Sequence, residues 1–510
     1  MSQTANRVIK NTGYLYAKMA ITMFVSLYTT RLILNSLGAS DFGIYNIVGG
    51  AIAMLGFLNS SMAASTQRFM SYAEGEGNKE KQKHIFNVGI ILHLAISVVV
   101  IVSLVIAGFI FFNGVLNIPS DRVFAAKVVY ASLIVSTVLT IVNVPYDAVM
   151  NAHENMRYYA FVGILESLLK LLVALACVFS SSDKLIVYGV LMSLIPLVTL
   201  TIMKVYCHRN YEECRINPRV YFDKGLMKEM TAFAGWGFLS SLASIGSTYG
   251  LGLVLNNFFG TIANAAQGVA NQISGQLGAL GSSIKKALNP VIAKSAGSGD
   301  QGLMLKSSIT GTKITSFIVT VFFAPIMVDM DYILHLWLKN PPTYATTFCF
   351  LLLIVNFLQD LTLFIPQAIS AMGKIKDYTI YGSIISFLPI VMSIVLFSFG
   401  VGPEYLYITL MISALIKIIL DLYYGQKLCN INAMYFFRHV IARMTICFSF
   451  SIFVGCLLKS QMIESIVRLV VVCSVTMITY SVVFYLYGLD KDEKRLAGDV
   501  ITKIKSHVKR

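Results

Sequence analysis

The chain has 510 residues, 56% of them hydrophobic and only 13% charged, with a mean hydropathy of +0.72 and a formal net charge of +15. A soluble domain carries about 25% charged residues, so this much apolar surface excludes a water-soluble globular fold. The basic total is not gathered into an aromatic-interleaved patch of the kind a nucleic-acid reader shows, which excludes that class as well.

A helix needs about 20 apolar residues to cross a bilayer, and only helices or closed barrels satisfy their backbone in lipid. The apolar runs here are continuous and helix-length; they do not alternate over about 10 residues as barrel strands do. An all-α polytopic membrane protein of about fourteen spans is predicted, at roughly 11–34, 43–69, 87–112, 123–149, 160–180, 185–206, 231–256, 261–284, 307–328, 345–371, 379–400, 405–425, 442–458 and 465–488. The opening MSQTANRVIKNTGYLYAK leads into a long run without a small-residue cleavage site, so it reads as the first span rather than a signal peptide.

Ionisable residues within spans are costly and tend to face the protein interior. Span one carries a polar stripe, Asn11, Lys18, Thr22, Ser26 and Thr29, with Arg31 on another side. No acid on that helix can pair with Lys18 or Arg31, so each wants either a partner on another span or a watery cavity. Span two offers Asn46, Gly50, Ala53, Ser60 and Gln67 and ends at Arg68. His93, alone in span three, reads as structural. Asp147, Arg68, Lys127 and Arg468 lie near span ends, where snorkelling to the interface is expected.

In span five, Glu166 and Lys170 are four residues apart and can pair on one face, as can Lys417 and Asp421 in span twelve. The pair Glu166 and Lys170 is also held as a candidate for ion coupling. No charge occurs from Thr231 to Ile284, yet span seven presents Ser240, Ser244 and Ser247, and span eight presents Asn264, Gln267, Asn271, Ser274 and Gly278. Such residues serve either tight helix packing or the wall of a hydrophilic cavity, where amides and hydroxyls suit a polyhydroxy ligand. Asp360, deep in span ten, either neutralises a cation on another span or couples transport to a proton or sodium gradient. The eight cysteines show no metal spacing and read as small buried residues; no metal and no bound cofactor is expected.

With the N-terminus inside, 28 Lys and Arg fall on inner segments and 4 on outer loops, namely Arg122, Lys184, Lys339 and Lys459. That asymmetry predicts cytoplasmic N- and C-termini. The inner turn AEGEGNKEKQK (73–83) has a counterpart in SAGSGDQGLMLK (295–306), LNSLG (34–38) in LNNFFG (255–260), and PYDAVMNAHENMRYY (145–159) in PQAISAMGKIKDYT (366–379). Shifts near 222 residues at matching places in the span order indicate a duplication. Two parallel six-helix lobes about an axis along the membrane normal follow: an N-lobe at 1–206, a linker at 207–230 and a C-lobe at 231–425. A helix pair at 426–488 and a basic tail at 489–510 complete the chain.

The segment TTRLILNSLGASDFGIYNIVGG (29–50) resembles the opening signature of the multidrug/oligosaccharidyl-lipid/polysaccharide exporter superfamily: an Arg, apolar residues, LG, then FGxY. The Thr66–Gln67–Arg68 end of span two, the Gly-rich turn after it, the duplication and the extra helix pair fit too. Within the superfamily the chain is most similar to O-antigen and capsule flippases of the Wzx type. The resemblance implies a MATE-like, V-shaped pair of lobes with spans one, two, seven and eight lining a cleft. It implies an undecaprenyl-diphosphate-linked oligosaccharide as substrate, moved from the cytoplasmic to the periplasmic leaflet of the inner membrane by alternating access. Lys18, Arg31 and Arg68 would then offset the anionic head, and Asn256, Gln267 and Asn271 would contact sugars. Membrane lipids and polysaccharide polymerase machinery are the implied partners.

Multidrug export is disfavoured because spans one, seven and eight lack the carboxylate that cation exporters place there. Lipid II flippases, richer in arginine in span one, rank second. An enzyme, such as a glycan polymerase or acyltransferase, is opposed by the absence of a long outer loop. No phosphate-cradling GxxxxGK[ST] occurs, which argues against ATP-driven transport.

Overall fold

The structure is a computed structural model that describes residues 3–53, 56–115, 118–338, 341–491 and 493–495; the side chains of Arg31 and Asn46 also lie outside the described set. No strand occurs among the described residues. The helices are α1 (Gln3–Ala53), α2 (Gly56–Glu76), α3 (Lys79–Ile110), α4 (Val123–Ala152), α5 (Met156–Phe179), α6 (Lys184–Asn210), α7 (Pro218–Tyr221), α8 (Lys224–Gly297) and α9 (Gln301–Val328). They continue as α10 (Met330–Leu338), α11 (Ala345–Asp360), α12 (Ile365–Met372), α13 (Lys376–Ser398), α14 (Tyr405–Cys429), α15 (Ala433–Phe436), α16 (Ala442–Ser460) and α17 (Ile466–Val483).

Ten helices among the described residues are long and apolar enough to cross a membrane, or eleven if the bent pair α11–α12 is one span. Fourteen remains the sequence expectation. The predicted spans outside this set are one, two and eight; span two includes residues 54 and 55, which lie outside the described residues.

The repeats seen in the sequence recur in the backbone. Gly38 and Gly260 break α1 and α8 with nearly equal torsions, φ 78, ψ 169 and φ 73, ψ −168. That region is essentially restricted to glycine. In the polar turns, Gly77 and Gly299 have φ 69 and φ 75. The next residues, Asn78 and Asp300, each cap a helix by accepting the N–H of the residue three further on, Lys81 and Leu303. Each pair of positions (38 and 260, 77 and 299, 78 and 300) is 222 residues apart.

The chain divides into two compact units. One comprises Ile9–Phe238 with Gly297–Gly299. Here α4 packs against α2, α3 and α6, and α5 lies on α6. Residues 207–230, expected to be a linker, are fastened into this unit. Asn87 of α3 donates to the Arg215 carbonyl (2.8 Å) and accepts from the Asn217 N–H (2.8 Å). Buried Glu213 bonds His153 at the α4–α5 corner.

The other unit comprises Met1–Val8, Leu239–Ala296 and Asp300–Arg510. Its α14 packs on α11, α12 and α13, while α16 and α17 pack on each other and on α9. Ion pairs tie the C-terminal helix pair to the end and to the middle of α9. At its C-terminal end, Asp329 bonds Arg468 of α17 (2.8 and 3.2 Å) and pairs with Lys459 of α16 (3.4 Å). Midway along it, Lys313 is wholly buried and bonds Asp490 (2.8 Å) and Glu493 (2.9 Å), and Arg443 shares Asp490 (2.6 Å). Asp490 and Glu493 are therefore part of the fold; Lys503, Lys505, Lys509 and Arg510 lie outside the described residues.

Candidate functional site

Asn11, Lys18 and Thr29 of the α1 polar stripe face into its own unit, while Ser26 is exposed. Asn11 Nδ2 donates to the Glu154 carbonyl (3.0 Å) at the α4–α5 corner. Two turns further on, Lys18 Nζ lies 4.5 Å from the centre of the Tyr159 ring on α5. The alkyl chain of Lys18 runs where Gly163 leaves room: a Cβ built at Gly163 would meet Lys18 Cε at 2.2 Å. Asp147 of α4 and Glu166 of α5 act electrostatically on the same Tyr159. A cation over an aromatic face is worth about 0.5–2 kcal/mol, enough to hold the side chain in place while leaving its charge available to an anion. The opposite face of α1 is exposed at Met23, Phe24 and Tyr28. Of Arg31, only the backbone, in α1, is described.

Arg68, expected to snorkel, sits among three aromatic rings instead. Its guanidinium carbon lies 4.7 Å from the Phe69 ring centre, 5.1 Å from Tyr72 and 5.3 Å from Phe233, and Glu229 and Glu76 act on it electrostatically. Arg468 does not snorkel either: it is buried and bonded to Asp329. Lys127 stays exposed, 5.8 Å from the Phe112 ring centre. Cations within spans are thus met by acids just beyond them, Asp329, Asp490 and Glu493.

Glu166 and Lys170 pair at 2.7 Å, each partly exposed. The pair Lys417–Asp421 (2.7 Å) is extended by Tyr378, which donates to Asp421 Oδ1 (2.8 Å), and by Thr362, which donates to Oδ2 (2.8 Å). His93 is fully buried, with Nδ1 on the Gly89 carbonyl (2.8 Å), as a structural histidine should be.

In the second unit, Asn256 and Asn271 are exposed and Gln267 is half-buried. Gln267 reaches back across the Gly260 break, with its Oε1 3.4 Å from where a Cβ on Gly252 would be. Further along α8, a cavity of about 160 Å³ is lined by Ser274, Leu277, Gly278, Val319, Phe323, Asn356, Gln359 and Asp360. Asn356 Nδ2 donates to Ser274 Oγ (2.7 Å), joining α11 to α8 across it. Lys285, two turns beyond Gly278, is the charge that acts on Asp360. Tyr159, Gly163 and Lys285 escaped the sequence reading because each acts through a helix distant in the chain. Among the described residues, no three His, Cys, Asp or Glu side chains are grouped to hold a metal.

This helical architecture is that of the MATE-like transporters of the MOP superfamily. Among similar solved structures, the outward-facing conformation of a multidrug resistance MATE family transporter superposes with a TM-score of 0.72 at 14% identity, covering 84% of this chain and 96% of that one. A MATE in the bent conformation gives 0.73 at 12% identity, covering 84% and 99%. A MOP superfamily transporter from Pyrococcus furiosus, described as having a binding pocket of reverse polarity, gives 0.69 at 13% identity, covering 84% and 96%. Residues 8–296 match the family model described as polysaccharide biosynthesis protein. The chain belongs to that family. A search of curated proteins returned no match.

Proposed function

We propose that the protein flips an undecaprenyl-diphosphate-linked oligosaccharide from the cytoplasmic to the periplasmic leaflet of the bacterial inner membrane, by alternating access, for surface polysaccharide biosynthesis. Membership of the polysaccharide biosynthesis family, read together with the placement of Lys18, carries this reading. Lys18 is a cation within a span, held by an aromatic ring, and no acid lies on its own helical stretch from Gln3 to Gly38. Such a group suits a diphosphate head. Arg31 and Arg68 join it as anion partners, and Asn256, Gln267 and Asn271 serve the sugars. Asp360, opposed by Lys285 beside a small polar cavity, is the leading site for coupling to a proton or sodium gradient; the Glu166–Lys170 pair is the lesser one. The distribution of Lys and Arg supports cytoplasmic termini, and polysaccharide polymerase machinery is the natural partner downstream.

The test is complementation of a strain lacking its own flippase, scored for surface glycan. The intact gene should restore glycan, and Lys18→Ala and Arg31→Ala should abolish it while the protein still inserts. Normal export by both variants would remove the anion site; resistance to drugs without glycan export would replace the substrate class.

A further inference from the structure

The junction of α14 and α15 forms an open groove of about 340 Å³, lined by Gln426, Asn430, Ile431, Asn432, Ala433 and Met434. It lies between two membrane-span candidates, Tyr405–Cys429 and Ala433–Ser460, and so at a boundary between hydrocarbon and water. Asn430 turns the chain with φ 57, and Asn432 Oδ1 accepts the Tyr435 N–H (2.9 Å), which leaves the Asn432 N–H2 group as its donor. Around the groove, Tyr423, Met434, Tyr435 and Phe437 are exposed, and so are Lys427 and Arg438. Lys427 Nζ lies 5.8 Å and 5.7 Å from the Tyr423 and Tyr424 ring centres. The helix that follows opens with a π-turn at Phe437–Ile441, a feature concentrated at functional sites.

Charge sets this surface apart from an ordinary aromatic belt. The sequence has no acid from Leu422 to Ile463. Acids on neighbouring elements are engaged elsewhere, Asp421 by Lys417, Tyr378 and Thr362, and Asp490 by Lys313 and Arg443. Asp377, whose charge reaches Tyr424, stands beside Lys374 and Lys376 in the sequence.

We propose that this groove seats the headgroup of an anionic phospholipid of the surrounding bilayer. Lys427 and Arg438 supply the charge for its phosphate, and the amides of Gln426, Asn430 and Asn432 donate to phosphate and glycerol oxygens. Met434, Tyr435 and Phe437 enter the acyl boundary, where amphipathic rings are stable. The site is separate from whatever the protein moves.

Short-chain phosphatidylglycerol titrated against the purified full chain in neutral detergent, with bound lipid counted by native mass spectrometry, tests this. One saturable phosphatidylglycerol is expected, with phosphatidylcholine binding at least tenfold more weakly. Each basic side chain near anionic lipid is worth about a fivefold change in affinity, so K427Q/R438Q should lose tenfold or more. The exposed pair K204Q/R209Q should not. Met434→Trp, which fills the groove and keeps both charges, should also weaken binding. Equal binding of the two lipids, equal loss in the two charge pairs, or undiminished binding by Met434→Trp would each overturn the proposal.

Discussion

Lys18 and Tyr159 meet cation to ring face, 4.5 Å from ammonium to ring centre, in space that Gly163 keeps open. Gly163→Ala would put a Cβ 2.2 Å from Lys18 Cε. The far end of a lysine can swing away, so the protein should fold and the ammonium should leave the ring. Export of surface glycan is expected to drop about tenfold, equivalent to ~1.4 kcal/mol, with unchanged membrane insertion. Unchanged export would show that the placement of Lys18 is irrelevant to transport.

Gly38 and Gly260 demand glycine through their torsions, since open space surrounds the position a Cβ would take at either. Gly38→Ala and Gly260→Ala should each cost about 1–3 kcal/mol and lower the midpoint of thermal unfolding in detergent. A loss under about 0.3 kcal/mol would mean that the breaks relax.

Lys313 depends on carboxylates supplied from beyond the last helix. The double variant D490N/E493Q leaves a wholly buried ammonium without its acids. Stranding one member of a buried pair costs about 3–5 kcal/mol, so this variant should be strongly destabilised, and adding Lys313→Met should restore much of the loss. Burial alone would raise the Asp490 carboxyl, but Lys313 and Arg443 hold it below the usual carboxylate value.

Glu213 makes the unit built on Ile9–Phe238 sensitive to acid. Burial would raise its carboxyl; the His153 hydrogen bond, its own backbone N–H and the charges of His153 and Lys79 outweigh burial and hold it low. A depressed carboxyl stabilises the fold above its unfolded value, about 4.3. That contribution disappears as pH falls through the lower folded value. Glu213→Gln should therefore cost about 1.5–3 kcal/mol at neutral pH and flatten the acid limb of a stability–pH curve. Parallel acid limbs in the two proteins would count against this role.

Asp360 and Lys285 separate by a double-mutant cycle. If Asp360 only neutralises Lys285, D360N should lose export and K285Q/D360N should regain it. If Asp360 couples an ion, the double variant should stay inactive in gradient-driven transport. Flipping assayed in vesicles with and without an imposed proton or sodium gradient distinguishes the two.

Local features were legible in the sequence. The helix breaks fell at the matching segments LNSLG and LNNFFG, and the four-residue pairs at Glu166–Lys170 and Lys417–Asp421, because each follows from backbone chemistry or helical spacing. What escaped depends on tertiary placement. Asp329 and Asp490 lie just beyond apolar runs, and Arg468 and Lys313 meet them only through the tertiary fold. Their partners are 139 and 177 residues away. The ring under Lys18 is no more visible, since nothing in MRYY says which tyrosine faces α1.

The two glycine elbows share more than residue type: their φ angles differ by only 5° (78 and 73) and both have ψ near ±170°. Independent origins would not be expected to arrive at one rare torsion at corresponding places. The joint therefore predates the doubling, and the simplest ancestor is a half-length polypeptide whose leading rod was already articulated.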